Sequence, residues 1–149
     1  MLEKLWGLPA HPVYVHFPVA FFILSSLLLG LHRLEGERQG MNRFLKKIKL
    51  GCFDFESLSL LLLFLGCGMG VLAILSGLAL VGGWDHAPFP HAALGVSTVI
   101  CYSVLLILRW VFGPSLYKHP LRHLYFGLHL LGIVLVTLAG FKGGELHYR

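Results

Sequence analysis

Charged residues are scarce in this chain of 149 residues. Only 13% of the residues are Asp, Glu, Lys or Arg, whereas 56% are hydrophobic, and the mean hydropathy is +0.77. Soluble domains carry about 25% charged residues, so the composition excludes an ordinary soluble fold. The basic residues are confined to short connections beside apolar runs. We therefore expect a lipid bilayer around the chain and no nucleic-acid partner.

Cysteine is also scarce, with three in the whole sequence. No Cys-x-x-Cys-His motif is present, which excludes a covalently attached c-type haem. Cys67 and Cys101 fall within apolar runs, and Cys52 falls in a connection. The sequence therefore suggests no disulfide.

Four uncharged or nearly uncharged runs are long enough to cross a bilayer, which takes about 20 residues at about 1.5 Å each. They predict transmembrane helices at approximately residues 12–32, 57–83, 88–112 and 121–141. The short connections outside 40–52 favour an antiparallel up-down bundle. We predict an all-α membrane protein in which residues 1–149 form a single four-helix transmembrane domain. The first run is too long for a signal peptide, and its positive charge follows it, so we expect it to be retained.

The distribution of lysine and arginine predicts the orientation. One side of the bundle holds three of them, Lys4, Lys142 and Arg149. The other side holds nine: Arg33, Arg38, Arg43, Lys46, Lys47, Lys49, Arg109, Lys118 and Arg122. The positive-inside rule then makes the second side cytoplasmic and both termini extracytoplasmic. Residues 40–52 predict a basic amphipathic helix on the inner leaflet, or alternatively a docking surface for an acidic partner.

Nine histidines are the most informative polar residues of the chain. Ionisable residues inside a membrane are candidates for functional sites, and imidazole is a common ligand of metals and haem iron. His16 and His91 fall at similar depth in the first and third helices, so we predict them as the axial ligands of a haem b. His11 is predicted to bond a haem propionate, to support a ligand, or to act as a polar group at the helix start.

His129 lies about two turns inside the fourth helix. It is a candidate ligand for a second, inner haem, with His32 or His123 opposite, or a buried imidazole bonded to a carbonyl. The rim histidines His32, His86, His119 and His147 are expected to contact water or lipid headgroups. Glycines in the middle of the second helix (Gly66, Gly68 and Gly70) indicate either close helix packing or a face that accepts a porphyrin.

Residues 11–20, His-Pro-Val-Tyr-Val-His-Phe-Pro-Val-Ala, resemble the opening motif of the bacterial membrane proteins grouped as domain of unknown function 2231. Gly-Gly-Trp-Asp at 82–85, His91, and Gly-Gly-Glu-Leu at 143–146 follow in the family's order. The family often continues with Val-Tyr and more glycine, whereas this chain has His147, Tyr148 and Arg149. The motif positions carry over to His11, His16 and His91.

The resemblance implies a small four-helix bundle in a bacterial inner membrane. Related domains occur joined to cytochrome-like or Rieske-type redox domains, which implies electron transfer. No such domain is present in this sequence, so a redox partner is expected to be a separate polypeptide.

The first hypothesis for function is therefore a cytochrome b-like electron-transfer subunit with one or two b haems, working in a larger respiratory complex. It would pass electrons between an extracytoplasmic cytochrome or iron–sulfur protein and a second haem or membrane quinone. The second hypothesis is a structural or anchor subunit without a cofactor, and a homodimer through the glycine faces stays open. The third is a divalent-metal site made by His11, His16 and His91, with Asp85, Glu145 or His147. No carboxylate pair or nucleophile lies inside the apolar runs, so we expect no catalysis by this chain alone.

Overall fold

The computed structural model describes residues 10–37 and 54–147, and these form four long helices. They are α1 (Ala10–Glu37), α2 (Phe55–Val81), α3 (Phe89–Phe112) and α4 (Arg122–His147). Each contains a stretch long and apolar enough to cross a membrane, and these two segments contain no strand. The prediction of an all-α membrane protein with four transmembrane helices is confirmed. The segment 40–52, with its predicted amphipathic helix, lies outside the described residues.

The helices differ from the predicted ones mainly at their ends. α1 reaches Glu37 and α4 reaches His147, well past the predicted ends at 32 and 141. An apolar window marks only the part of a helix that lies in hydrocarbon, and the helix can continue into the polar region beyond it. α2 begins after Asp54, whose Oδ1 accepts the Ser57 backbone N–H at 2.6 Å.

The four helices form a closed ring in chain order. α1 packs most extensively on α2, and α3 packs most extensively on α4. The α2–α3 interface is smaller, and the α1–α4 interface that closes the ring is the smallest of the four. Short 3-10 segments, Trp84–His86 and Gly113–Tyr117, link α2 to α3 and lead from α3 towards α4. The result is the up-down arrangement predicted from the short connections.

Aromatic rings and glycines fill the centre of the bundle. Phe22 of α1 stacks on Tyr102 of α3 with 4.0 Å between ring centroids, and both rings are buried. Gly66 of α2 accommodates Phe22, since a Cβ there would lie 2.6 Å from that ring. Gly70 accommodates Val99 in the same way, at 2.7 Å. At Gly66 and Gly70 the structure therefore shows close helix packing, whereas a Cβ at Gly68 would have no neighbour within 4 Å.

Large apolar side chains cover the outside of the ring, as expected for surfaces that face lipid. Trp84 and Phe89 are exposed at one end of the bundle, and Trp110 is exposed near the other. Aromatic residues are enriched at membrane–water interfaces. We call the first end, where α1 and α3 begin, the His91 rim, and the opposite end the Arg109 rim.

Candidate functional site

Two imidazoles occupy notches at the His91 rim. The ring of His11 lies over Gly77 of α2, where a Cβ would come within 2.9 Å of the histidine Cε1. The ring of His91 lies over Gly143 of α4, where a Cβ would come within 2.8 Å of its Cε1. Both imidazoles are half-buried. Glycine at these two positions lets each ring pack directly against the backbone of a neighbouring helix.

The hydrogen bonds of His11 and His91 fix which ring nitrogen carries the proton. The Nδ1 of His91 lies 3.0 Å from the carbonyl oxygen of Ala139, which can only accept, so Nδ1–H donates. The Nδ1 of His11 lies 2.9 Å from the Ser76 hydroxyl, and that hydroxyl donates its one hydrogen to the Ala73 carbonyl at 3.0 Å. Ser76 must therefore accept from His11. In both neutral rings Nε2 is the nitrogen that carries the lone pair.

The two rings are also electrostatic neighbours. Burial is the main cause of a lowered pKa at His11, and the positive charge of protonated His91 lowers that pKa further. The neutral form of His11 is thereby favoured. Neutral imidazole is the form that coordinates a metal ion, so the environment of His11 suits ligation.

His16 occupies a different face of α1 from His11. Five residues along an α-helix correspond to a rotation of about 140°, and the His16 side chain is exposed. The side chain that shares the surroundings of His91 is thus His11. The assignment of His16 and His91 as axial ligands stays a prediction, and so does the propionate role of His11.

His129 lies in the bundle interior, with only 4% of its surface exposed. Its Nδ1 is 2.9 Å from the Ser26 hydroxyl. Ser26 donates its hydrogen to the Phe22 carbonyl at 2.9 Å, so it accepts from both His129 Nδ1–H and the Tyr102 hydroxyl, which is 3.2 Å away. The predicted bond to a carbonyl is therefore replaced by a bond to a hydroxyl. The Nε2 atom keeps its lone pair and is buried with no hydrogen-bond partner among the residues of the described segments.

The ring nitrogens of the histidines near the Arg109 rim contact other groups of the chain. His119 Nδ1 accepts the Leu121 backbone N–H at 3.2 Å, and His123 Nε2 accepts Arg122 Nε–H at 3.1 Å. His32 Nε2 lies 3.6 Å from Glu56 Oε2. The expectation that His32 and His119 contact water or lipid headgroups stays a prediction, and these contacts within the chain stand beside it. His86 is exposed at the opposite rim, and His147 is the last residue of α4.

A charged cluster at the Arg109 rim was missed by the sequence analysis. Arg109 is 8% exposed, its Nη2 pairs with Glu56 Oε1, and its guanidinium lies 5.3 Å from the centre of the Tyr117 ring. The His32 ring lies 5.8 Å from the same tyrosine ring. We call these four residues the Glu56 cluster. One carboxylate between two potential cations thereby connects α1, α2 and α3.

The described segments contain no group of three or more His, Cys, Asp or Glu side chains arranged to hold a metal ion. Glu145, one of the predicted ligands of a divalent metal, instead pairs through Oε2 with Lys142 Nζ at 2.8 Å. Asp85 is exposed in the segment between α2 and α3. Among the predicted ligands at this rim, the arrangement that the structure provides is a pair of imidazoles.

A family model described as a predicted membrane protein matches residues 7–149, almost the whole chain. No curated protein and no solved structure matches it.

Proposed function

The chain belongs to the DUF2231 family of predicted membrane proteins, and from this premise we propose that it is a haem b-binding electron-transfer subunit. The observation that carries the proposal is the pair of rim imidazoles from α1 and α3, each with Nδ1–H engaged and an Nε2 lone pair. A hydrogen bond from the distal ring nitrogen to a carbonyl or hydroxyl is the usual support of a ligating histidine. Two imidazole Nε2 atoms are a donor set that fits haem iron.

In this proposal His91 of α3 would hold the haem iron together with a histidine of α1. His11 is favoured over the predicted His16 because Ser76 holds its tautomer and because burial favours its neutral form. Haem ligated by two imidazoles would carry single electrons and leave no open position for oxygen. The chain's own part is to orient the rings. The Ala139 carbonyl and the Ser76 hydroxyl hold them, and bonds of this kind raise the basicity of the opposite nitrogen.

The orientation and partners belong to the same proposal. The sequence has an excess of lysine and arginine between α1 and α2 and around the α3–α4 connection, which supports placing the Arg109 rim at the cytoplasmic face of a bacterial inner membrane, with both termini outside. The His91 rim then faces an extracytoplasmic cytochrome or iron–sulfur protein. The inner end of the electron path would be membrane quinone or a second haem, within a larger respiratory complex.

The direct test is the reduced-minus-oxidised absorption spectrum of the full chain, purified from cells supplied with haem. We expect the bands of a six-coordinate b haem at about one haem per chain. His91→Ala and His11→Ala are each expected to lose most of the bound haem while the chain still inserts in the membrane. Ser76→Ala is expected to keep the ligand but to weaken haem affinity about tenfold, because His11 loses its orienting partner.

His119→Ala is the matched control, since its Nδ1 is already occupied by a backbone N–H at the other rim, and it should retain full haem. His16→Ala separates the two α1 ligands: loss of haem there, with His11→Ala unaffected, would restore His16 as the ligand. Full haem in both His11→Ala and His91→Ala contradicts the proposed site. A colourless chain with stoichiometric zinc would favour the divalent-metal site, and a chain with neither would favour a structural subunit.

A further inference from the structure

His129 presents a buried hydrogen-bond acceptor that the chain leaves unused. The Phe22 carbonyl can only accept, which assigns the single hydrogen of Ser26 to it, and the same network assigns the proton of His129 to Nδ1. Its Nε2 is a lone-pair nitrogen at a depth that water reaches poorly, inside a helix that spans the membrane. A buried acceptor without a donor is unfavourable, because it has lost its hydrogen bond to water. A site that keeps such an atom is suited to a ligand that brings a hydrogen-bond donor.

The environment of His129 restricts the class of that ligand. The ring is contacted edge-on by Tyr125, with 4.9 Å between centroids, and the Phe22–Tyr102 stack lies next to it. A ligand among aromatic rings at membrane depth must be lipid-soluble, and to satisfy Nε2 it must carry a hydroxyl or N–H. An aromatic hydroxyl group on a lipid-soluble molecule meets both conditions.

The α1–α4 interface is the route by which a lipid-soluble ligand reaches His129 from the bilayer. Ser26 of α1 and His129 of α4 are bonded across it, and it is the least extensive of the four interfaces between neighbouring helices. Separating two helices at their smallest interface exposes the least buried surface. A ligand from the bilayer therefore enters there at the lowest cost in free energy. The other three interfaces keep the bundle together during entry.

We propose that His129 Nε2 is the hydroxyl-accepting position of a quinol site between α1 and α4. This inference rests on the proposed electron-transfer function, for which quinol is a source of electrons and quinone an acceptor. The lone pair of His129 Nε2 distinguishes the reduced ligand from the oxidised one. A quinol hydroxyl donates to the lone pair of Nε2, whereas an oxidised quinone offers only carbonyl oxygens, which cannot donate. The site therefore prefers the reduced ligand.

The test measures binding of decylubiquinol and decylubiquinone, under anaerobic conditions, to the full chain in lipid nanodiscs. We expect one saturable site that binds the quinol at least tenfold more tightly than the quinone, which corresponds to one satisfied buried acceptor. With ¹⁵N-labelled histidine, the Nε2 resonance of His129 should shift as the quinol is added. His129→Phe keeps an aromatic ring but removes the acceptor, and should abolish the preference.

Two further variants keep the inference testable if His129→Phe folds poorly. Ser26→Ala removes the acceptor that fixes the proton on Nδ1 and should reduce the preference several-fold, while His123→Phe, at the rim, should leave it unchanged. Equal affinity for both ligands, no binding of either, or a preference that survives His129→Phe would overturn the inference. So would an Nε2 resonance already hydrogen-bonded without quinol and unmoved by it, which would identify a buried water or a lipid hydroxyl.

The result is separable from the haem proposal. The same titration in His91→Ala, which should lack haem, tests the quinol site alone. Absence of the b-type spectrum with a retained quinol preference would contradict the haem site only. A haem-loaded chain without that preference would contradict the quinol site only.

Discussion

Glu56→Ala is expected to lower the free energy of unfolding by about 3–5 kcal/mol, because it leaves a buried guanidinium without its carboxylate. Arg109 is 8% exposed, and its Nη2 pairs with Glu56 Oε1. Arginine keeps its positive charge in proteins, so Arg109 cannot escape the penalty by becoming neutral. The measurement is equilibrium unfolding of the purified chain in mixed micelles, followed by circular dichroism.

Removal of the other partner, Arg109→Ala, is expected to lower the free energy of unfolding by less, about 2 kcal/mol. The Glu56 side chain is 20% exposed and keeps His32 at 3.6 Å, and a carboxyl group can also take up a proton when it loses its partner. Replacing both members by leucine should recover stability to within about 1 kcal/mol of the parent, because two matched apolar groups leave no unpaired charge. The cost thus comes from breaking the pair.

A second ion pair at the opposite rim is the control. Lys142 Nζ and Glu145 Oε2 are 2.8 Å apart, but their side chains are 43% and 39% exposed. Exposed pairs contribute about 0–1 kcal/mol, so Lys142→Ala should change the free energy of unfolding by less than about 1 kcal/mol. Similar costs for Glu56→Ala and Lys142→Ala would contradict the assignment of the Glu56 cluster as a buried connection between helices.

The number and type of the helices could be predicted because the bilayer imposes a minimum length on every crossing. Uninterrupted apolar runs of that length are visible without knowing what they pack against, and each of the four runs forms a helix in the structure. The short connection between α2 and α3, which includes Trp84–His86, also fixes their antiparallel relation. Helix ends are less visible, since α1 continues to Glu37 through residues that are no longer apolar.

The faces of the helices could not be predicted in the same way. In a soluble helix, polar residues mark the side that faces water, but here both the interior and the lipid-facing side are apolar. Depth along the helix placed His11 and His16 together near one rim. Their rotation around α1 differs by about 140°, and only the position of α2 shows that His11 meets Ser76. The contact between His11 and Ser76 could therefore not be predicted from depth alone.

The pairing of Glu56 with Arg109 could have been predicted from the positions of these two charges in the sequence. The sequence analysis uses Arg109 only for the orientation, and the residue lies inside α3, four residues before the C-cap Gly113. Glu56 lies in the first turn of α2, at the same rim. An acid and a base at matching depth at the ends of neighbouring apolar runs are expected to pair, because neither is stable alone beside hydrocarbon. That signal was available from the sequence.

Gly132→Ala is expected to destabilise the bundle by about 2–3 kcal/mol, because the new methyl group has no space. A Cβ at this position would lie 2.7 Å from Tyr102 Cζ and 2.8 Å from its Cε2. The tyrosine ring cannot retreat, since its other face stacks on Phe22 at 4.0 Å, and Phe22 is itself confined by Gly66. Displacement of the ring would also break the bond from the Tyr102 hydroxyl to Ser26.

Gly127→Ala and Gly140→Ala are controls in the same helix, because a Cβ at either position has no neighbour within 4 Å. Each should raise stability by about 0.5–1 kcal/mol, the ordinary gain when alanine replaces glycine inside a helix. Tyr102→Phe should not rescue Gly132→Ala, because the clashing ring carbons remain, whereas Tyr102→Leu should recover part of the loss by removing them. The three glycine variants compared by the same unfolding measurement separate helix propensity from packing. If Gly132→Ala matched Gly127→Ala, the Tyr102 ring would not be held between α1 and α4 as described.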